Sequence, residues 1–184
     1  GLRGMSTQAE SGIVERDIAL AKKTHAHLHV AHISTAAALD AVRRSRKAGV
    51  HVTCEVTPHH FTLIDENVGE YDTNYKMNPP LRGRTDRDAM LAGLADGSID
   101  CIATDHAPHA RHEKEVEFDR AAFGITGFET ALALASTVWH VERGMKLVRI
   151  VERLSSNPAK IFGFAGRGTL AKGSYGDVTI FDPK

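Results

Sequence analysis

The spacing of apolar residues along the chain alternates between the period of a helix and that of a strand. In residues 10–23, four apolar side chains recur near one face of a helix: Ile13, Val14, Ile18 and Ala21. The apolar run LHVAHI (28–33) predicts a short strand. The run VHVTCEVT (50–57) is rich in β-branched residues and predicts a second strand, and IDCIATD (99–105) predicts a third.

Helices are predicted between these strands. The segment AAALDAVRRSRKA (36–48) follows two residues, Ser34 and Thr35, either of which could cap a helix, and Gly49 follows its last turn. Residues 84–97 predict the helix that precedes the third strand. Each predicted strand is thus separated from the next by a helix.

The pattern changes after residue 105. A polar loop at 106–125 is longer than a simple connection needs, so we interpret it as a functional flap or lid. Thr126 and Glu129 form a capping box that predicts a helix over 128–140. A further helix is expected at 147–154.

Strand, helix, strand, helix, strand in succession is typical of parallel βα units. Near-continuous apolar runs such as CIAT (101–104) indicate strands that are buried on both faces. Three units cannot close a (β/α)₈ barrel, which takes eight strands and typically ~250 residues. The pattern therefore predicts an α/β fold, either a small open parallel sheet or the C-terminal part of such a barrel. The β-like segment DVTIF (177–181) need not belong to the barrel.

Charge and cysteine content exclude several classes of protein. The 23 basic and 23 acidic residues balance, so nothing suggests a nucleic-acid or membrane surface. The sequence has no apolar run long enough to cross a bilayer and no signal-peptide pattern. Cys54 and Cys101 lie in apolar strand-like runs without a C-x-x-C pairing, so we expect reduced core thiols of a cytoplasmic protein rather than zinc ligands. The start, GLRGMSTQAE, lacks an initiator methionine, and we expect a piece of a longer chain.

Histidine and aspartate residues collect where the predicted strands end. The first strand ends at His32, the second at TPHH (57–60) and the third at DHAPH (105–109). In α/β folds the active residues collect at the carboxyl ends of the strands. Three such ends in register are difficult to attribute to chance, and they predict an active site at this edge.

The histidines of the first strand differ in the face that they occupy. His32 lies on one face, whereas His25, His27 and His29 lie on the other. An extended strand would also separate His25 from His32 by about 23 Å. We therefore expect His25 and His27 to be solvated and His29 to be a packed, hydrogen-bonded histidine between barrel and helix. For His32, the pattern alone leaves a metal ligand and a packed residue open.

Asp105 is a stronger candidate for a functional residue than His32. A carboxylate at the end of a buried strand is costly unless it is paired or bound to a metal. The alternative is that its side chain caps the following turn. We favour a catalytic role, because His106 and His109 flank it in a loop that Pro108 restricts.

In chain order, the motifs resemble those of type I dihydroorotases of the amidohydrolase superfamily: AHIST, EVTPHHF, MNPPLRGRTDR, ATDHAPH, AAFGITGFETAL, SSNPAKIFG and GTLAKGSYGDVTIFDP. The combination of TPHH, NPPLR and DHAPH is specific. The resemblance covers essentially the whole chain. It implies strands six to eight of a (β/α)₈ barrel over residues 1–165 and a β segment of an accessory sandwich domain over 166–184. It also implies zinc-dependent, reversible cyclisation of N-carbamoyl-L-aspartate to L-dihydroorotate in de novo pyrimidine biosynthesis.

The resemblance carries over to individual residues. His32 matches a zinc ligand, and Asp105 matches the residue that contacts metal and moves the proton. Four residues match substrate-binding positions: Asn78, His109, Phe123 and Gly124. The resemblance does not make His59 or His60 metal ligands, and we expect them to orient the end of the second strand by hydrogen bonding.

The resemblance also defines what the sequence lacks. It implies one or two zinc ions whose other ligands lie upstream of Gly1: an H-x-H pair, a carboxylate or carbamylated lysine, and a further histidine. We therefore expect this chain alone to hold part of an active site and to be inactive. The expected partners of the whole protein are a small-molecule substrate, a second copy in a homodimer, and an aspartate transcarbamoylase.

Three other functions stay open. Hydantoinases and allantoinases share the scaffold, but they usually differ at TPHH and DHAPH. A non-catalytic dihydroorotase-like subunit that supports a transcarbamoylase would tend to lose metal ligands, and His32 with Asp105 argues against it. A self-sufficient small α/β binding module is disfavoured by the unclosed barrel.

Overall fold

Three short parallel strands form the sheet: β1 (Leu28–Val30), β2 (Val52–Val56) and β3 (Cys101–Ile102). Their order is β1-β2-β3, with His29 opposite Thr53 and Glu55 opposite Cys101. This computed structural model describes residues 2–183. The parallel order confirms the βα units that the sequence predicts, although β1 and β3 are shorter than their apolar runs.

The first two helices begin at side-chain caps. Helix α1 (Thr7–Thr24) begins after Ser6, whose hydroxyl accepts a hydrogen bond from the Ala9 N–H at 3.2 Å. Helix α2 (Ala36–Lys47) begins after Thr35, which resolves the choice between two possible caps. The apolar face of α1 is narrower than predicted, because Val14 and Ala21 are buried whereas Ile13 is 53% exposed.

The remaining helices follow in chain order: α3 (Pro58–Thr62), α4 (Arg84–Asp96), α5 (Arg111–Lys114), α6 (Ala131–Ala135), α7 (Leu147–Val151) and α8 (Asn157–Ile161). Two 3₁₀ turns, Asp65–Val68 and Thr73–Tyr75, lie between α3 and α4. Two π-helical segments, Ser136–Val141 and Glu152–Ser156, continue α6 and α7. None of the helices in the described residues is long and apolar enough to cross a membrane.

The prediction for the helix over 128–140 is wrong at its start. Helix α6 begins three residues later and its N-cap is Thr130, so Thr126 and Glu129 do not form the expected capping box. The reason is a tertiary contact: the N–H groups of Gly127 and Phe128 both donate to His106 Nδ1, at 3.1 and 3.2 Å. These two residues are therefore held outside the helix.

The C-terminal segment forms no strand within the described part of 166–184. It is held to the rest of the chain by Ser156 Oγ, which donates to the Gly168 carbonyl at 2.8 Å. The β-like DVTIF lies in this stretch without a strand partner. Strand formation depends on hydrogen-bonded pairing with another strand as well as on residue preference. A β-rich segment without a partner strand therefore does not form a strand.

The core lies between one face of the sheet and the helices. Val52, Cys54 and Val56 alternate along β2 and are buried against the side of α2 and α4. The other face of β2 carries Thr53 and Glu55. Both cysteines are buried and free, and burial raises the pKa of each thiol to about 12. Both therefore lie in the core as free thiols.

Candidate active site

The carboxyl ends of the three strands meet at one edge of the sheet, because the strands are parallel neighbours. His32 follows β1, the TPHH motif follows β2, and Asp105 follows β3. The motifs that the sequence places together therefore lie together in the fold. Since neighbouring strands are about 4.8 Å apart, roughly 10 Å separates the segments that carry His32 and Asp105.

His32 and Asp105 share an unusual backbone conformation. Their φ angles are 37° and 46°. Residues other than glycine avoid positive φ, and each such residue costs roughly 1–3 kcal/mol. Within residues 2–183 the other non-glycine residues with positive φ are His25 and Tyr71. Such strain collects at functional sites, and of these four residues His32 and Asp105 are the two that follow strands of the sheet.

The TPHH motif contains one fully bonded histidine. His60 Nε2 donates to the Pro79 carbonyl at 2.9 Å, and its Nδ1 accepts from the Thr57 hydroxyl at 2.7 Å. Burial lowers the pKa of His60 to about 4, which keeps the ring neutral as this bonding pattern requires. His60 therefore joins the end of β2 to the NPPLR segment, the orienting role expected of it.

His59 behaves differently. It is buried, and its Nε2 has no hydrogen-bond partner among the described residues. Burial lowers its pKa to about 3, with smaller contributions from His60 and His32. An unpaired buried nitrogen costs about 1–3 kcal/mol. The expected orienting hydrogen bond is therefore not found for His59, whose free nitrogen follows β2 at the same edge of the sheet.

The donor set at this edge fits a zinc ion. Imidazole nitrogen and carboxylate oxygen are common zinc ligands, and His32 with Asp105 supplies one of each. Both side chains are half-buried. The unpaired Nε2 of His59 adds a buried polar atom that a group bound here could satisfy.

A second group of metal-binding side chains lies on the face of the sheet opposite Val52, Cys54 and Val56. The ligand atoms of His29, Glu55 and Cys101 lie within 4.8 Å of one another. His29 already bonds Thr53 Oγ1 at 2.7 Å and Glu55 Oε2 at 3.1 Å, and the Cys101 thiol is held protonated by its raised pKa. Both ring nitrogens of His29 are thus used in hydrogen bonds and Cys101 is a protonated thiol, so the predicted metal position stays at His32 and Asp105.

The predictions for His25, His27 and His29 are confirmed in part. His25 is exposed and ends α1. His27 is exposed, but its Nε2 bonds Thr53 Oγ1 at 2.8 Å. His29 is hydrogen-bonded as expected. Its neighbours, however, are side chains of β2 and the ring of Phe162, at 5.2 Å between centroids.

A cavity of about 350 Å³ adjoins the predicted metal position. Its walls are α1, residues 28–32 and residues 78–82, so it contains both His32 and Asn78. The peptide bond between Asn78 and Pro79 is cis. The structure thus gathers one predicted metal ligand and one predicted substrate-binding residue around a single cavity.

An ion pair that the sequence did not reveal closes one side of this cavity. The Glu10 carboxylate accepts hydrogen bonds from the N–H groups of Ser34 (2.9 Å) and Thr35 (3.1 Å). The Arg82 guanidinium lies 3.5 Å from Glu10 and also donates to the Ser34 hydroxyl and the Met5 carbonyl. Glu10 therefore joins α1, AHIST and NPPLR. The only sequence signal for it was an acidic residue in the first turn of a helix.

We expect Glu10→Ala to destabilise the fold by about 3 kcal/mol, because it leaves the buried Arg82 charge unpaired. Glu15→Ala is the matched control on the same helix, since Glu15 pairs with Arg44 in solvent and should change stability by less than about 1 kcal/mol. Urea unfolding followed by fluorescence of Trp139, the single tryptophan, measures both. Equal effects of the two substitutions would contradict a structural role for the Glu10 network.

Backbone pairing joins the two ends of the flap at 106–125. His106 pairs with Ile125, and the Ala107 N–H donates to the Ile125 carbonyl at 3.1 Å. Further out, His109 Nε2 donates to the Phe123 carbonyl at 2.8 Å. The flap is thus a structured loop, and it brings three of the predicted substrate-binding residues together: His109, Phe123 and Gly124.

The space around position 124 admits only a glycine. A Cβ atom there would lie 2.5 Å from the Ala107 carbonyl oxygen and 2.8 Å from the His109 ring. Its N–H donates to the Lys76 carbonyl at 2.9 Å, and its own carbonyl accepts from Lys114 Nζ at 3.0 Å. Both backbone groups are thus used in hydrogen bonds to Lys76 and Lys114, and only the second lone pair of the carbonyl remains for a ligand.

Comparison with known proteins supports the reading of these motifs. The sequence model of the amidohydrolase family matches residues 5–184. The dihydroorotase of Endomicrobium trichonymphae is 52% identical over 184 residues, which is all of this chain and 44% of that protein. The dihydroorotase of Carboxydothermus hydrogenoformans is 48% identical over 184 residues, again all of this chain and 43% of that protein. The chain therefore spans less than half the length of the curated relatives it matches.

Solved structures with the same fold are named hydantoinases or dihydropyrimidinases. A D-hydantoinase (dihydropyrimidinase) from a Thermus species superposes with a TM-score of 0.88 at 29% identity, over 94% of this chain and 39% of that one. The dihydropyrimidinase of Brevibacillus agri gives 0.86 at 27% identity, over 92% and 39%. The parallel strands are thus part of a TIM-barrel type of fold, and the chain belongs to the amidohydrolase family.

Proposed function

We propose that the full-length protein, meaning this chain continued upstream to the length of its relatives, is a zinc-dependent dihydroorotase. It would interconvert N-carbamoyl-L-aspartate and L-dihydroorotate in pyrimidine biosynthesis, in the cytoplasm. The observation that carries the proposal is the left-handed backbone shared by His32 and Asp105 at two strand ends, in a chain about half identical to relatives named dihydroorotase.

His32 and Asp105 would hold the metal, with the other ligands supplied from upstream. When bound there, zinc would supply a water of lowered pKa and polarise the ring amide carbonyl. In hydrolysis, the Asp105 carboxylate accepts the proton of the attacking water and delivers it to the ring nitrogen as the C–N bond breaks. In cyclisation, the same carboxylate removes the proton from that nitrogen.

The substrate would lie between the cavity and the flap. Asn78 lines the cavity beside His32, and His109 is oriented by the Phe123 carbonyl. The His109 Nδ1 lies 3.5 Å from the Glu113 carboxylate, so this contact and the Phe123 carbonyl together fix the orientation of the ring. Phe123 and Gly124 would form the wall of the flap that faces the ligand.

Hydantoinase activity is the second candidate, because the solved structures that share the fold carry that name. The two activities use different rings, so substrate preference distinguishes them.

The test is to compare kcat/KM for dihydroorotate and for hydantoin in the full-length protein, before and after metal removal. We expect activity on dihydroorotate that chelation abolishes and zinc restores. A preference for hydantoin, or full activity without metal, would refute the proposal. No turnover with zinc present would favour a non-catalytic subunit that acts with a transcarbamoylase.

We expect His109→Ala to raise KM for dihydroorotate about tenfold or more, since one charge-assisted hydrogen bond is lost, and to change kcat less. His112→Ala is the control, because His112 lies on α5 in the same flap and outside the proposed binding residues. Steady-state kinetics on both variants measure the effect. An unchanged KM in His109→Ala would remove His109 from the substrate site.

A further inference from the structure

Two ammonium groups lie inside the flap and hold its backbone. Lys76 is only 6% exposed, and its Nζ donates to the carbonyls of Asp119 at 3.0 Å and Ala121 at 2.6 Å. Lys114 Nζ donates to the carbonyls of Ala122 and Gly124, each at 3.0 Å. Four carbonyl groups within residues 119–124 therefore depend on two lysine side chains.

Aromatic rings complete the surroundings of Lys76. Its Nζ lies 4.4 Å from the ring centroid of Phe123 and 5.6 Å from that of Phe118. Carbonyl oxygens and ring faces thus stabilise this buried charge, and such contacts are stronger where water is excluded. The pKa of Lys114 is lowered by burial and then by the charge of Lys76, which is consistent with two neighbouring ammonium groups in one enclosure.

Lys76 also connects the flap to the cavity. Its backbone carbonyl accepts the Gly124 N–H, and it precedes Asn78 by two residues. The Thr73 hydroxyl donates to the Lys114 carbonyl and adds a second connection. A change at Lys76 would therefore affect the spacing between Asn78 on one side and Phe123 with Gly124 on the other.

We propose that Lys76 and Lys114 are positioning residues, which together form a lysine clamp that holds the 119–124 backbone at the distance from Asn78 that the substrate requires. The substrate part of this inference rests on the proposed dihydroorotase function, whereas the clamp itself does not. Neither lysine needs to touch the substrate. The clamp acts by holding the binding groups in place beforehand, so its loss weakens binding more than the chemical step.

The test uses the full-length protein with Lys76→Met, which keeps an unbranched apolar chain in the buried space and removes the charge. Lys76→Arg restores a cation, and Lys47→Met, an exposed lysine at the end of α2, is the control. The first measurement is amide hydrogen exchange in peptides covering 115–126. The second is the separation of KM from kcat for dihydroorotate. Lys114→Met repeats both at a half-buried position that tolerates substitution more readily.

We expect Lys76→Met to speed exchange at 119–124 and to raise KM, each about tenfold, since hydrogen bonds to a charged donor are lost. The kcat should change less than about threefold, Lys76→Arg should recover part of both losses, and Lys47→Met should change neither. Unchanged exchange in Lys76→Met and in Lys114→Met overturns the clamp. Faster exchange with unchanged KM overturns the positioning role and leaves a structural one. If the unsubstituted protein lacks dihydroorotate activity, the substrate part falls with the proposed function, while the exchange result still decides the clamp.

Discussion

Asp105→Asn in the full-length protein is expected to lower kcat for dihydroorotate by about a thousandfold, within the range that general acid–base groups contribute. An asparagine side chain has nearly the shape of aspartate, but it cannot accept the proton of water and return it to nitrogen. Because the loss falls on the transition state, kcat and kcat/KM should decrease together. Steady-state kinetics at saturating zinc, with the zinc content of each preparation measured, give the result.

Asp88→Asn is the matched control for this experiment. The Asp88 side chain is 54% exposed and pairs with the adjacent Arg87, so its substitution should leave both kcat and zinc content unchanged. A kcat for Asp105→Asn within a few-fold of the parent would show that another group moves the proton. Loss of zinc together with activity would assign Asp105 to metal binding first, and the proton role would then need a separate demonstration.

The features of the fold that the sequence predicted correctly depend on neighbouring residues. The apolar period of α2, a cap at Ser34 or Thr35 and the helix predicted over 84–97 involve interactions within a few positions of the chain. The sequence of strands and helices then indicates a parallel sheet, because helical crossovers connect parallel strands. The edge that carries His32 and Asp105 follows from that topology alone.

The features that escaped prediction depend on contacts between distant residues. Arg82 donates to the Met5 carbonyl, 77 positions away, and pairs with Glu10 across 72 positions. Lys76 reaches Ala121, 45 positions further along the chain. A lysine or glutamate in a polar stretch has the same local appearance whether it is solvated or buried, so no periodicity distinguishes these residues before the fold is known.

The backbone conformation of the candidate site also could not be predicted from the sequence. Histidine and aspartate are among the residues that adopt positive φ more often than most, but the sequence does not indicate which of the chain's histidines and aspartates do so. Only the surrounding packing can hold such residues in that conformation. The strand ends were therefore predictable, but the turn that sets the direction of His32 and Asp105 was not.

The 184-residue chain by itself is expected to show no measurable dihydroorotate turnover and to bind zinc weakly. Catalytic zinc usually has three protein ligands and a water, and only His32 and Asp105 are proposed ligands here. Within residues 2–183, β1 has β2 as its single strand neighbour, so its other edge can pair with a second molecule. We therefore also expect concentration-dependent self-association.

Equilibrium dialysis with zinc, a hydrolysis assay and sedimentation on the purified chain measure these three properties. Adding the upstream half of a relative as a separate polypeptide should supply the missing strands and ligands. This addition should tighten zinc binding, reduce self-association and restore some turnover. The matched control is the same mixture with Asp105→Asn in this chain, which should form the complex without restoring activity. Tight stoichiometric zinc and turnover in the isolated chain would instead place a complete site within these residues, and the proposed ligands from upstream would then be unnecessary.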